Sequence, residues 1–162
     1  MKTLYLVRHA KSSWKDASLS DQERPLKKRG KRDAPKMGEY LSHRGARVER
    51  IVSSPARRAL TTARLIAGAL DYDLDDIVQE RRVYFCGPQA MLDVIRATDN
   101  RIGSLMLVGH NPDMTSLFNS LCGFQTDNMP TCAVAKIEFQ GGWRDLAPNF
   151  GRLLDYKRPG DL

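Results

Sequence analysis

The chain has 162 residues and a formal net charge of +7, from 26 Lys and Arg against 19 Asp and Glu. That length suits one domain spanning 1–162, since single cores commonly serve about 100–200 residues, and a hydrophobic share of 41% with 28% charged residues excludes a disordered chain. No run approaches the roughly 20 consecutive apolar residues of a membrane span, and the apolar stretch after Lys2 is too short for a signal peptide, so the expectation is a soluble cytoplasmic protein.

Residues 3–7 (Thr-Leu-Tyr-Leu-Val) are short, apolar and β-prone, which predicts a buried strand. Residues 12–25 hold Ser, Asp, Lys and a Pro and read as a loop. Residues 26–43 place Leu26, Gly30, Ala34, Met37, Gly38 and Leu41 on helical spacing, with Pro35 marking a kink or break. Residues 48–53 predict a second strand. Ser54-Pro55 then has the form of an N-cap followed by proline at the first helical position. The helix it opens runs to about Leu70, with Ala59, Leu60, Ala63, Ile66, Ala67 and Leu70 on its apolar stripe.

Residues 89–97 predict a third helix, with Met91, Leu92 and Ile95 on one face. Residues 104–109 (Ser-Leu-Met-Leu-Val-Gly) are a clear strand, and Asn111-Pro112 opens a helix over about 112–122. Residues 132–139 alternate and predict a late strand, Gly141-Gly142 turns the chain, and 152–156 adds a further strand. Strands alternating with helices imply an α/β fold, a three-layer α/β/α sandwich on a mostly parallel central sheet.

Charge is uneven. The first 64 residues hold 17 Lys and Arg against 6 acids, and the remainder 9 against 13. A basic half implies an anionic partner, although the run from Lys27 to Arg32 reads first as a solvated helix face or a docking surface for an acidic protein. Aromatic residues make up only 7% and form no stacking or recognition-helix pattern, so no nucleic-acid partner is expected. Cys86, Cys122 and Cys132 form no CxxC pair, and His9, His43 and His110 have no metal-ligand spacing, so no metal or cofactor is expected.

Ligands of open α/β sheets sit at the carboxyl ends of the strands. Three such ends carry unusual residues: Arg8-His9-Ala10, Ser54-Pro55-Ala56-Arg57-Arg58, and Gly109-His110-Asn111-Pro112. Two of them open helices, whose N-termini attract anions. An arginine there is disfavoured by the helix dipole unless an anion is shared between them. Two histidines and at least two arginines converging on one point suit a phosphoryl group, which arginine grips bidentately, with a neutral imidazole as nucleophile.

These residues resemble the signature of the histidine phosphatase superfamily, also called phosphoglycerate mutase-like. Leu6-Val7-Arg8-His9-Ala10-Lys11 is similar to its Arg-His-Gly block with Ala in the Gly position. The stretch from Ser53 to Ala63 is similar to its Ser-x-x-x-Arg-Ala-x-x-Thr-Ala block, and Val108-Gly109-His110-Asn111-Pro112 to its third. Arg24-Pro25-Leu26 through Gly30, with the short length, resembles the SixA-type phosphohistidine phosphatases.

The resemblance implies that His9 is the nucleophile that becomes phosphorylated. Arg8 and Arg58, rather than Arg57, would bind the phosphoryl oxygens, His110 would stabilise the transferring group, and Arg24 would line the entrance. It also implies a two-step reaction in which water cleaves the phosphohistidine and inorganic phosphate leaves, with no metal required. Larger members supply a carboxylic general acid. Glu80 is the nearest candidate here, and its absence would suit a phosphoramidate, which expels its leaving group more easily than an alkoxide. The expected substrate is phosphohistidine of a signalling protein. The rivals are a small phosphorylated metabolite, and a module that binds phosphate or phosphoprotein without catalysis.

Overall fold

Tyr5 and Val7 alternate with Leu4 and Leu6 along the first strand, and all four side chains are buried, so this strand must be covered on both faces. A computed structural model describes residues 1–162. In chain order its elements are β1 (Lys2–Arg8), α1 (Lys28–His43), β2 (Arg50–Ser53), α2 (Arg57–Ala69), β3 (Val78–Gln79), α3 (Pro88–Arg96), β4 (Ser104–Gly109), α4 (Asp113–Cys122), β5 (Val134–Phe139) and β6 (Arg152–Lys157). The sheet order is β3-β2-β4-β1-β5-β6. The pairings β1–β4, β2–β4 and β2–β3 are parallel, and those of β5 with β1 and β6 are antiparallel. No helix is long and apolar enough to cross a membrane.

The two faces of the sheet carry separate cores. Tyr5, Val7, Met106 and Val108 pack with Ala34, Met37 and Leu41 of α1 and Ala59, Ala63, Ile66 and Ala67 of α2. Leu4, Leu6, Leu105 and Leu107 pack with Met91 and Ile95 of α3 and Leu117, Phe118 and Leu121 of α4. The result is the expected three-layer α/β/α sandwich. Gly38 lets α1 and α2 approach, since a Cβ there would stand 2.7 Å from that of Ala69.

Several boundaries differ from the sequence-based expectation. α1 continues through Pro35 because Gly30 and Ala34 before it and Met37, Gly38 and Leu41 after it bury one continuous face, and that packing outweighs one missing backbone bond. Ser54 does not cap α2. Ala56 is its N-cap, and the Ser54 hydroxyl instead accepts the Ala56 N–H at 3.2 Å in the turn that precedes the helix. β5 starts at Val134 because Cys132 sits at φ +62°, outside strand geometry. β3, only two residues long, carries no periodic signal to detect.

Candidate active site

The parallel register sets Arg8 opposite Gly109, so the next residues, His9 and His110, leave neighbouring strand ends side by side. The His9 N–H donates to the Gly109 carbonyl at 3.0 Å, and the two imidazole centroids are 5.1 Å apart. Gly109 is closely packed: a Cβ would stand 2.7 Å from Met91 Cε, and that side chain would have to shift to admit it. One strand further out, the Ser54 N–H donates to the Val108 carbonyl at 3.0 Å. That contact brings the Ser54 hydroxyl within 2.7 Å of His110 Nε2.

Arg58 lies in the first turn of α2 and is 2% exposed, whereas Arg57 beside it is exposed. Thr62, one turn along, joins the helix to the histidine strand. Its hydroxyl accepts the Ala10 N–H at 2.9 Å and donates to the Arg58 carbonyl at 2.7 Å. Ala10 is fully buried and has no positive φ, so a methyl group fits where the family pattern has glycine.

His9 Nδ1 lies 2.7 Å from the Ala10 carbonyl oxygen, which can only accept, so the ring proton sits on Nδ1 and Nε2 keeps its lone pair. Burial depresses the His9 pKa to about 4, against the Ala10 bond, with the charges of Arg58, Arg8 and Arg24 acting in the same direction as burial. Burial, followed by the neighbouring His9 and Arg58, depresses His110 to about 3. Both rings are therefore neutral when the folded protein is near neutral pH.

An imidazole titrating near 6.5 in the unfolded chain takes up a proton that the folded chain refuses. The stability linked to these two rings is complete above about pH 6.5 and is lost as pH falls toward about 4 and about 3. Ring-resolved NMR titration from about pH 7 to about pH 5 should leave both signals unmoved. A midpoint near 6.5 for either ring would contradict this assignment.

Arg8 Nη1 donates to the Met129 carbonyl at 2.8 Å. Arg24, expected at the entrance, is 6% exposed and donates to the Ser12 hydroxyl at 2.6 Å. Arg58 donates through Nη1 to the Asp21 carbonyl at 2.7 Å and through Nη2 to the Asp21 carboxylate at 2.9 Å. Buried side-chain nitrogens without a hydrogen-bond partner are Nε of Arg8, Nε of Arg24, Nε of Arg58 and Nδ1 of His110. Each unpaired buried polar group costs about 1–3 kcal/mol. Their concentration on the residues grouped by the sequence is what a site built for an oxygen-rich anion requires.

Asp21, Tyr84 and Phe85 escaped the sequence reading. The Asp21 carboxylate accepts from Arg58 and from the Tyr84 hydroxyl, and lies 3.6 Å from Arg24 Nη1. Desolvation raises its pKa, but the bonds from Tyr84 and Arg58 and the charges of Arg58 and Arg24 prevail and leave it lowered. Phe85 stacks on His110 at 4.6 Å and 28° and holds φ +52°, a left-handed conformation costly for an aromatic residue. Asp21 opens a single 3₁₀ turn (Asp21–Glu23) and the Tyr84-Phe85 pair follows another, so no periodicity marks them.

Glu80, the candidate acid, sits where the chain passes the end of β2, its N–H donating to the Ser53 carbonyl at 2.9 Å. Its carboxylate pairs with Arg82 at 2.9 Å, and the hydrogen bonds from Arg82 lower its pKa. It is thus ionised at neutral pH and holds no proton to give.

Taken together, a neutral imidazole with a free Nε2, a second neutral imidazole and three arginines can bind a tetrahedral dianion and attack it in line.

A sequence model of the histidine phosphatase superfamily, branch 1, matches residues 4–83. An uncharacterized chloroplastic protein of Arabidopsis thaliana is 30% identical over 153 residues, covering 89% of this chain and 70% of that protein. The SixA-type protein of Agrobacterium tumefaciens superimposes with a TM-score of 0.83 at 27% identity, covering 98% of this chain and 99% of the other. A protein histidine phosphatase SixA solved with tungstate gives the same TM-score of 0.83 at 22% identity over 98% of each chain, a likeness of fold.

Proposed function

The chain belongs to the histidine phosphatase superfamily and is of the SixA type, and from that premise we propose that all of 1–162 acts as one phosphohistidine phosphatase domain whose substrate is a cytoplasmic signalling protein. His9 Nε2 attacks phosphorus, the bond from phosphorus to the substrate nitrogen breaks, and the phosphoryl group passes to His9. Arg8, Arg58 and His110 hold its oxygens. Water then cleaves the His9 phosphoramidate and releases inorganic phosphate.

One observation carries the choice of substrate. Two carboxylates beside the site, Asp21 tied to Arg58 and Tyr84 and Glu80 tied to Arg82, are ionised. Neither can protonate a departing alkoxide. A phosphohistidine ring protonated from solvent on its other nitrogen, a site that titrates near neutral pH, loses the P–N electron pair to that ring and departs as neutral imidazole without a protein acid, which favours phosphohistidine over a sugar phosphate or other aliphatic ester. A panel of a histidine-phosphorylated peptide, an aliphatic phosphate ester and p-nitrophenyl phosphate tests this. The peptide should exceed the aliphatic ester by at least about 100-fold in kcat/KM, a difference of about 3 kcal/mol in the barrier. Comparable values for the two would favour a small phosphorylated metabolite.

A further inference from the structure

Beside the site the chain folds back on itself. Ser12 bridges to Leu26, the Ser13 N–H donates to the Pro25 carbonyl at 2.8 Å, and the Lys27 N–H donates to the Lys11 carbonyl at 2.9 Å. Gly30 is pressed against Lys11 so closely that a Cβ would stand 2.3 Å from its carbonyl oxygen. This closure sets Trp14 and Lys15 against the first turn of α1. Between them lies an open cleft of about 600 Å³ whose charged lining, Lys15, Lys27, Lys28, Arg29 and Lys31, is entirely cationic. Of these, only Arg29 has an acidic partner, Asp33 at 3.5 Å.

Trp14 is 73% exposed, the most exposed large apolar side chain of the fold. Its ring stacks on the Arg24 guanidinium at 3.4 Å. Arg24 reaches Asp21, and Asp21 binds Arg58. A continuous line of contacts thus joins this surface to the phosphoryl-binding arginines. A rigid exposed aromatic inside a cationic rim has the composition of a protein-docking surface. A single tryptophan without further stacked rings does not make a platform for successive bases.

Resting on the reading of a phosphohistidine substrate, we propose that this surface docks an acidic segment of the phosphorylated protein. Its carboxylates engage Lys15, Lys27, Lys28 and Lys31, and its chain packs on Trp14 while the phosphoryl group reaches His9. Docking of this kind lowers KM and raises the association rate, and it weakens as salt screens the charges. Chemistry at His9 is untouched.

The experiment uses two histidine-phosphorylated peptides of equal length, one with Asp and Glu flanking the phosphohistidine and one with Ser and Gln. The acidic peptide should be preferred by about 10-fold in kcat/KM at low salt, about 1.4 kcal/mol, through KM alone, and the preference should fade as ionic strength rises. The triple variant Lys27→Gln, Lys28→Gln, Lys31→Gln should lose the preference while keeping its turnover of the neutral peptide and of p-nitrophenyl phosphate. Equal kcat/KM for the two peptides in the parent protein, or an undiminished preference in the triple variant, overturns the docking surface alone. Failure to hydrolyse either peptide, with p-nitrophenyl phosphate still turned over, overturns the substrate reading and the docking surface with it.

Discussion

His9→Ala is expected to abolish turnover of phosphohistidine and phosphoester alike, a loss of at least about 10⁴-fold or about 5.5 kcal/mol of barrier lowering. The loss is near-total because only His9 presents a ring nitrogen whose lone pair is fixed in direction by a bond at the opposite nitrogen. His110 is the only other imidazole at the site, but its Nε2 is engaged with the Ser54 hydroxyl, and the ring is sandwiched against Phe85. His9 also differs in that its Nδ1–H is bound by the Ala10 carbonyl, which leaves Nε2 unprotonated and fixed in direction. The alanine variant should still bind tungstate, because Arg8, Arg58 and His110 remain, and this separates loss of the nucleophile from loss of fold. Turnover within about 10-fold of the parent value would mean that phosphorus is attacked by something else.

Arg58→Ala is expected to cost about 10²–10³-fold in kcat/KM, the range for removing one preorganised charge-stabilising donor. The side chain is buried at the start of α2, where the helix dipole opposes a cation, and it is held there by Asp21. Truncation removes the guanidinium and strands the Asp21 carboxylate among the remaining site groups, so anion binding should fall with turnover. Arg58→Lys should recover only part of the loss, since an ammonium cannot present two parallel donors to a phosphoryl group. Asp21→Asn should move tungstate affinity the other way, because it frees Arg58 and Arg24 from a resident carboxylate. Inhibition constants for tungstate across the three variants measure this; unchanged binding in Arg58→Ala would remove Arg58 from the anion site.

The features of the site that could be read from the residues are those fixed by regular structure. Strands β1 and β4 are continuous apolar runs, and the rule that ligands gather at strand carboxyl ends singles out Arg8, His9 and His110 directly. The family resemblance set Arg58 apart from Arg57 because it directly precedes Ala59, and the two arginines differ in burial accordingly. What the sequence did not disclose lies in short turns between the regular elements. Asp21 reaches Arg58 from a 3₁₀ turn 37 positions earlier in the chain, and Tyr84 reaches the same carboxylate from 63 positions later. Neither separation leaves a local pattern, because both depend on how the loops lie over the finished sheet.

Ser54 illustrates a subtler miss. Its position before proline suggested a helix cap, yet the register of β2 against β4 brings its hydroxyl to His110 instead. Lys27, Lys28, Arg29 and Lys31 are exposed, as expected. Only the pairing of Ser12 with Leu26 shows that they share a cleft with Trp14.

The central claim is a covalent phosphoryl group on His9, and trapping it tests that claim most directly. Enzyme mixed with a phosphorus-labelled, histidine-phosphorylated peptide and quenched in alkali during the first turnover should carry base-stable, acid-labile label on His9 Nε2. None should appear in His9→Ala. Turnover with no enzyme-bound label at any quench time, or with the label on another residue, would contradict the account.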